Sequence, residues 1–162
     1  MLDAGWQAAV LTAERHTLHA AGMSMPEALS QCLVLNTISA ARSLARLGDA
    51  QFKPYGVTVQ QFSLLSLIRF NPDEPVKNLA ERISIDRTSL TRNLDLLEKK
   101  GLVQRVAQTS GNARICALTE SGDRLLDQLL EEWQEAQRAI LKGFSAEDAE
   151  TYVRIAKHFA KL

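Results

Sequence analysis

The alternation of apolar and polar positions is helical over most of the chain. Residues Leu2 to Ala20 are rich in alanine and other good helix formers, and Gly22 and Pro26 interrupt them, so a helical extension is expected over about 1–24. "PEALSQCLVLNTISAARSLARLGD" opens at Pro26 and closes at Gly48, the asymmetry expected of a single helix. Leu29, Leu33, Ala40, Leu44 and Leu47 form one apolar stripe on it, and Val34, Ile38, Ala41 and Ala45 a second. A helix apolar on two sides is buried on two sides, against its own core and against something else. "KPYGVT" reads as a turn, with Thr58 as the N-cap of the short helix "VQQFSLLSLIRF". "VKNLAERISI" follows as one small helix with Val76, Leu79, Ala80 and Ile83 inward, and "DRTSLTRNLDLLEKKGL" as another.

After Gly101 the period changes. "LVQRVA" and "ARICAL" carry β-formers on either side of the turn cluster "QTSGN", which predicts a hairpin. "LTESGDRLLDQLLEEWQEAQRAILKG" returns to a long helix with Leu126, Leu130, Trp133, Gln137 and Ile140 at near-heptad spacing, a stripe that wants a partner helix. Gly143 ends it, and "SAEDAETYVRIAKHFAKL" starts with Ser145 and Asp148 in a capping-box pattern. The expected fold is mainly α: a winged helix-turn-helix over about 57–118, flanked by long helices at about 26–50 and 119–162 within one unit, 25–162. The flanking helices offer more apolar surface than so compact a centre can cover, which points to a homodimer joined through them.

Composition narrows the class. The chain has 162 residues with 46% hydrophobic and 23% charged, the proportions of a globular domain. No apolar run approaches the roughly 20 residues that span a bilayer, and no signal peptide is indicated, so the cytoplasm is expected and no membrane partner. Two cysteines without a CxxC pair fit a reducing compartment. Lys+Arg and Asp+Glu number 19 each, so nucleic-acid binding requires basic residues gathered on one surface.

Asp86–Lys100 has that segregation. At about 100° per residue, Leu90, Leu94 and Leu97 share one narrow arc, while Thr88, Thr91, Arg92, Asp95 and Lys99 fall opposite. Hydroxyls reach phosphates or base edges, arginine can pair with guanine through two hydrogen bonds, and a helix N-terminus favours a nearby phosphate. A solvated surface helix shows the same amphipathicity. What favours a double-stranded DNA reader is the setting: a short helix before, a hairpin after, and arginines on the hairpin, Arg105 and Arg114. Asp95 and Glu98 would repel phosphate at close range, so contacts are expected only in the first two turns.

Three pieces, "LAERISIDRTSLTRNLDLLEKKGLV", "LTESG" and "TVQQFSLL", together resemble the multiple-antibiotic-resistance regulator family, MarR, over roughly Pro26 to Ile140. The resemblance implies a homodimeric repressor that leaves a near-palindromic operator when an effector binds. It implies Arg87, Thr88, Ser89, Thr91 and Arg92 as readers, and Arg114 as a wing arginine in the minor groove. The family usually places an aspartate two residues before that arginine; here the position is Asn112, so the residue that would orient the arginine is absent. The resemblance also implies a small aromatic or lipophilic anionic effector, for which Tyr55, Phe62, Leu65 and Phe70 are candidate walls, although general burial favours an ordinary core role for each.

Cys32 lies where organic-hydroperoxide regulators of this family carry a sensing thiol. Placed about two turns into its helix, it is beyond the strongest dipole effect, which favours packing as a small hydrophobe over oxidant sensing. Cys116 is read as packing. His16 and His19 are too few for zinc, and no metal or cofactor is expected. No catalytic set appears, so the chain is not expected to be an enzyme. Zero net charge leaves a winged-helix protein-interaction module as the competing reading.

Overall fold

A computed structural model describes residues 27–106 and 115–161. Contacts divide the chain into two compact units, up to Leu44 and from Ala45 onward. The expected extension over 1–24, with His16 and His19, lies outside the described residues, as do Asn112 and Arg114 in the wing tip.

In the first unit the segment expected as one helix is broken. Helix α1 spans Glu27–Ser30, and α2 begins only at Leu33 and runs to Phe52. The break is held by Asn36, whose Nδ2 donates to the carbonyls of Ser30 and Cys32, both at 2.8 Å. The Cys32 carbonyl also accepts from Asn36 N at 3.0 Å, the first backbone bond of α2, so one asparagine ties the start of α2 to the end of α1. Leu33 and Val34 are 68% and 64% exposed, and Leu35, Ile38 and Leu44 are exposed too.

The second unit opens with the rest of α2. Gly48 does not end this helix. A Cβ there would lie 2.9 Å from Val59 Cγ2, so the residue serves a close crossing, and Asp49 Oδ1 accepts from Val59 N at 2.7 Å. The helix continues until Phe52 is buried against Phe62, with ring centroids 4.8 Å apart. A 3₁₀ turn, Lys53–Tyr55, then closes on Gly56 at φ 69°, a left-handed conformation suited to glycine.

Helix α3, Val59–Phe70, starts from a capping box: Thr58 accepts from Gln61 N, and the Gln61 side chain accepts from Thr58 N. Helix α4 spans Val76–Arg82, and α5 spans Arg87–Lys99. Gly101, at φ 70°, ends α5 in a Schellman arrangement, with Gly101 N donating to Glu98 O and Leu102 N to Leu97 O. Strands β1, Val103–Val106, and β2, Ile115–Leu118, pair antiparallel with Val103 opposite Leu118 and Arg105 opposite Cys116. Helices α6, Glu120–Leu141, and α7, Ala146–Phe159, complete the chain. The Ser145 hydroxyl accepts from Asp148 N, but Asp148 turns its carboxylate to that hydroxyl, not to the cap N–H that a full capping box would require.

The core gathers Phe52, Phe62, Leu64, Leu65, Ile68, Leu79, Leu90, Leu97, Leu126 and Leu129. Of the expected α6 stripe, Leu126 is buried beside Leu129, Leu130 packs half-buried against the core, and Trp133 is left 42% exposed. Among the described residues no helix is long and apolar enough to cross a membrane.

Candidate nucleic-acid interface

The inner face of α5 is locked before its outer face is considered. Leu90 and Leu97 are buried, Leu94 packs partly buried against the same cluster, and Asn93 donates from Nδ2 to Gln60 Oε1 at 3.0 Å, tying α5 to α3. Lys100 Nζ donates to Gly56 O at 2.5 Å and fixes the C-terminal end. The helix cannot roll without breaking these contacts, so its outward side chains hold a defined direction.

Asp86 caps the N-terminus, its Oδ1 accepting from Ser89 N at 2.9 Å. The hydrogen bond from the Ser89 side chain, followed by that from the Ser89 backbone, holds the Asp86 carboxyl below its usual value. Folding thus selects the ionised cap. Its contribution is complete above the ordinary carboxylate range and fades as pH falls through the lowered folded-state value. Asp86→Ala is expected to lower the melting temperature by a few degrees at neutral pH and to flatten the loss of stability on acidification. Melting curves from neutral to acidic pH check this, and an unchanged acid limb removes Asp86 as a contributor.

Arg87, Thr88, Thr91 and Arg92 are exposed and line one open depression of about 610 Å³ together with Asp95, Leu96 and Lys99. Ser89 stands apart from this expected reader set: it is half-buried and its hydroxyl serves the Asp86 cap. The Thr91 hydroxyl donates to Arg87 O at 2.9 Å, which leaves its oxygen as an acceptor on an exposed side chain that also carries a methyl. Such a group can accept from a base amino group or touch a thymine methyl. Arg87 and Arg92 form no ion pair among the described residues.

Arg105, expected from the sequence to help at the DNA, is engaged elsewhere. Its Nη2 lies 2.7 Å from Asp95 Oδ1 and 2.8 Å from Glu98 Oε2. The two carboxylates that would repel phosphate therefore share one guanidinium from strand β1, which offsets one of their two charges.

The candidate effector residues do not converge. Phe62 and Leu65 belong to the core, whereas Phe70 is 64% exposed beside Arg69. Tyr55 is half-buried and donates to Glu132 Oε1 at 2.9 Å; that hydrogen bond, with partial desolvation, raises its pKa. Gln51 Nε2 donates to the other Glu132 oxygen at 2.5 Å, so Tyr55 joins a structural tie between α6 and the end of α2. Cys32 also moves: α2 starts at Leu33 and the Cys32 carbonyl accepts from Asn36 N, so the half-buried thiol sits at the helix start, not two turns inside it.

The MarR family profile matches residues 57–115, from the start of α3's turn to the second strand. Over 113 residues the chain is 33% identical to an uncharacterized HTH-type transcriptional regulator of Bacillus subtilis, YybA, covering 68% of this chain and 75% of that one. This chain belongs to the MarR family. Among solved structures, the MarR-family fold recurs in the M. tuberculosis transcriptional regulator MosR in complex with DNA, at 28% identity and a TM-score of 0.66, covering 82% of this chain and 100% of that one. Wild-type MarR of E. coli, in its apo form, is 25% identical with a TM-score of 0.65, covering 79% and 96%. The chain is thus a MarR-family transcription regulator that binds DNA.

Proposed function

We propose that this MarR-family regulator acts as a homodimeric repressor, placing α5 in the major groove of each half of a near-palindromic operator. The observation that carries the reading is the pair of exposed arginines, Arg87 and Arg92, without an ion pair among the described residues, on the outward face of a helix whose inward face is locked by Leu90 and Leu97. Thr88 and Thr91 complete the reading face. Arg114 is proposed as the wing contact on the resemblance described above. The homodimer is supported by apolar side chains left uncovered in the flanking helices and the turn between α6 and α7: Leu33 and Val34 in the first unit, and Trp133, Phe144, Tyr152 and Ile155 in the second. Exposed patches of this kind mark interfaces. Release by a small aromatic or lipophilic effector would act as a population shift, the effector binding one arrangement of the dimer better than the other. No side chain is proposed for the effector, since Phe62 and Leu65 are buried in the core, Phe70 is exposed and Tyr55 is committed to Glu132.

Duplexes selected from a random pool by the purified protein test the reading. The expected selected site has two half-sites about 10 base pairs apart, or a multiple of that spacing. Affinity should exceed that for a shuffled duplex by about a thousandfold and fall steeply as salt rises. Enrichment of no sequence, with equal affinity for selected and shuffled duplexes, would overturn specific regulation.

A further inference from the structure

Arg92 and Asp95 are three residues apart on α5, neighbours on a helix surface at the spacing where opposite charges attract. They line the same open depression. Yet Arg92 forms no ion pair among the described residues, because the Asp95 carboxylate is turned to Arg105 on β1, at 2.7 Å. The same Arg105 nitrogen takes Glu98 at 2.8 Å, so the guanidinium is anchored at two points on one helix face. We infer that Arg105 is a positioning residue for DNA recognition: by occupying Asp95 it keeps Arg92 unpaired and free to meet the groove.

The inference rests on Arg92 being a reader. Without Arg105, Asp95 has two cationic neighbours on its own helix, Arg92 and Lys99, both in the depression with it. An ion pair to Arg92 would have to be broken before a base or phosphate could be contacted. Glu98, six residues from Arg92, lacks the spacing to compete for it. The two acids in the clamp therefore have different consequences once it is removed, and this separates competition for one arginine from a general repulsion of phosphate.

The test measures affinity, at one fixed salt concentration, for a duplex selected by the wild-type protein. Arg105→Ala should weaken binding by about tenfold, the loss expected when one arginine contact to a base is forfeited. Asp95→Asn alone should bind within about twofold of wild type, a change inside the usual range for exposed substitutions. Adding Asp95→Asn to Arg105→Ala should restore affinity, and adding Glu98→Gln should not. Arg105→Gln serves as a second variant, with circular dichroism confirming that each protein is folded at the temperature used.

If Arg105→Ala plus Asp95→Asn stays as weak as Arg105→Ala, Arg105 touches DNA itself and the inference is wrong. It is equally wrong if Arg105→Ala binds like wild type, if Asp95→Asn alone weakens binding, or if Glu98→Gln rescues as well as Asp95→Asn. Arg92→Ala, run alongside, separates the two levels: unchanged binding by that variant removes Arg92 as a reader, whereas weak binding by it with normal binding by Arg105→Ala removes only the positioning role.

Discussion

Replacing Arg87 and Arg92 together by alanine is expected to weaken binding to a selected duplex by about thirtyfold or more where both meet bases, each then contributing about 1–3 kcal/mol, and by less where one meets a phosphate. The fold should not suffer. Both side chains are exposed and neither is held by an acid of the described chain, so stability should stay within about 0.5 kcal/mol of wild type. Indeed Arg87 stands in the first turn of α5, which contains no acidic residue, and a cation there opposes the helix dipole. A residue slightly unfavourable to its own helix is best explained by a partner outside the chain, and backbone phosphate is such a partner. The single variants should divide the roles. A base-reading arginine, when removed, relaxes preference at one position of the site. A phosphate-binding one weakens all sequences alike and lowers the slope of affinity against salt by about one. Titrations of both singles and the double over a salt series, beside their melting curves, decide the matter. A double variant that binds like wild type would move the interface off this face of α5 and would favour the protein-interaction reading that zero net charge allows.

The elements of the helix-turn-helix were legible because local signals and tertiary demands agree there. Thr58 and Asp86 occupy cap positions, Gly101 takes the left-handed turn, and the leucines of α5 recur at helical spacing. Where they disagreed, the sequence misled. Gly48 has the look of a terminator, but its missing side chain serves the crossing with Val59, a neighbour that no local pattern reveals. The break before Leu33 is stabilised by an asparagine that reaches back to two carbonyls, a contact encoded by one side chain rather than by a period. The site divides the same way. Helical phase placed Thr88, Thr91 and Arg92 outward, but could not show that Arg105 would cross from β1 to Asp95 and Glu98, because that pairing depends on the hairpin's register. The candidate effector residues were not sorted from the core by sequence for a related reason. Aromatic and leucine side chains in an apolar helix do not disclose which belong to the core, and Phe62 and Leu65 prove to be among its central members.

Gly122→Ala is expected to destabilise the protein by about 2–3 kcal/mol, the upper part of the usual overpacking range, even though alanine is the better helix former by about 1 kcal/mol. The "LTESG" segment shows why. Thr119 caps α6 by accepting from Gly122 N at 3.0 Å, and its own hydroxyl donates to Gly101 O at 2.6 Å. Thr119 N donates to Leu102 O at 3.1 Å, and Leu102 N is committed to Leu97 O at 3.0 Å. These bonds draw the start of α6 onto the backbone between α5 and β1. A Cβ on Gly122 would stand 2.0 Å from Leu102 O and 2.9 Å from its carbonyl carbon. The obstacle is a main chain held from both sides, so it cannot swing away as a side chain would. At this chain length a loss of that size corresponds to a fall of about 4–12 °C in melting temperature. Gly143→Ala is the matched control, since nothing lies within 4 Å of a Cβ there, and its melting temperature should not fall. The displaced backbone also joins the reading helix to the wing, so DNA affinity should drop at temperatures where Gly122→Ala is still folded. Equal melting temperatures for Gly122→Ala and wild type would mean that the Leu102 backbone yields at this crossing, and that the start of α6 is not held against it.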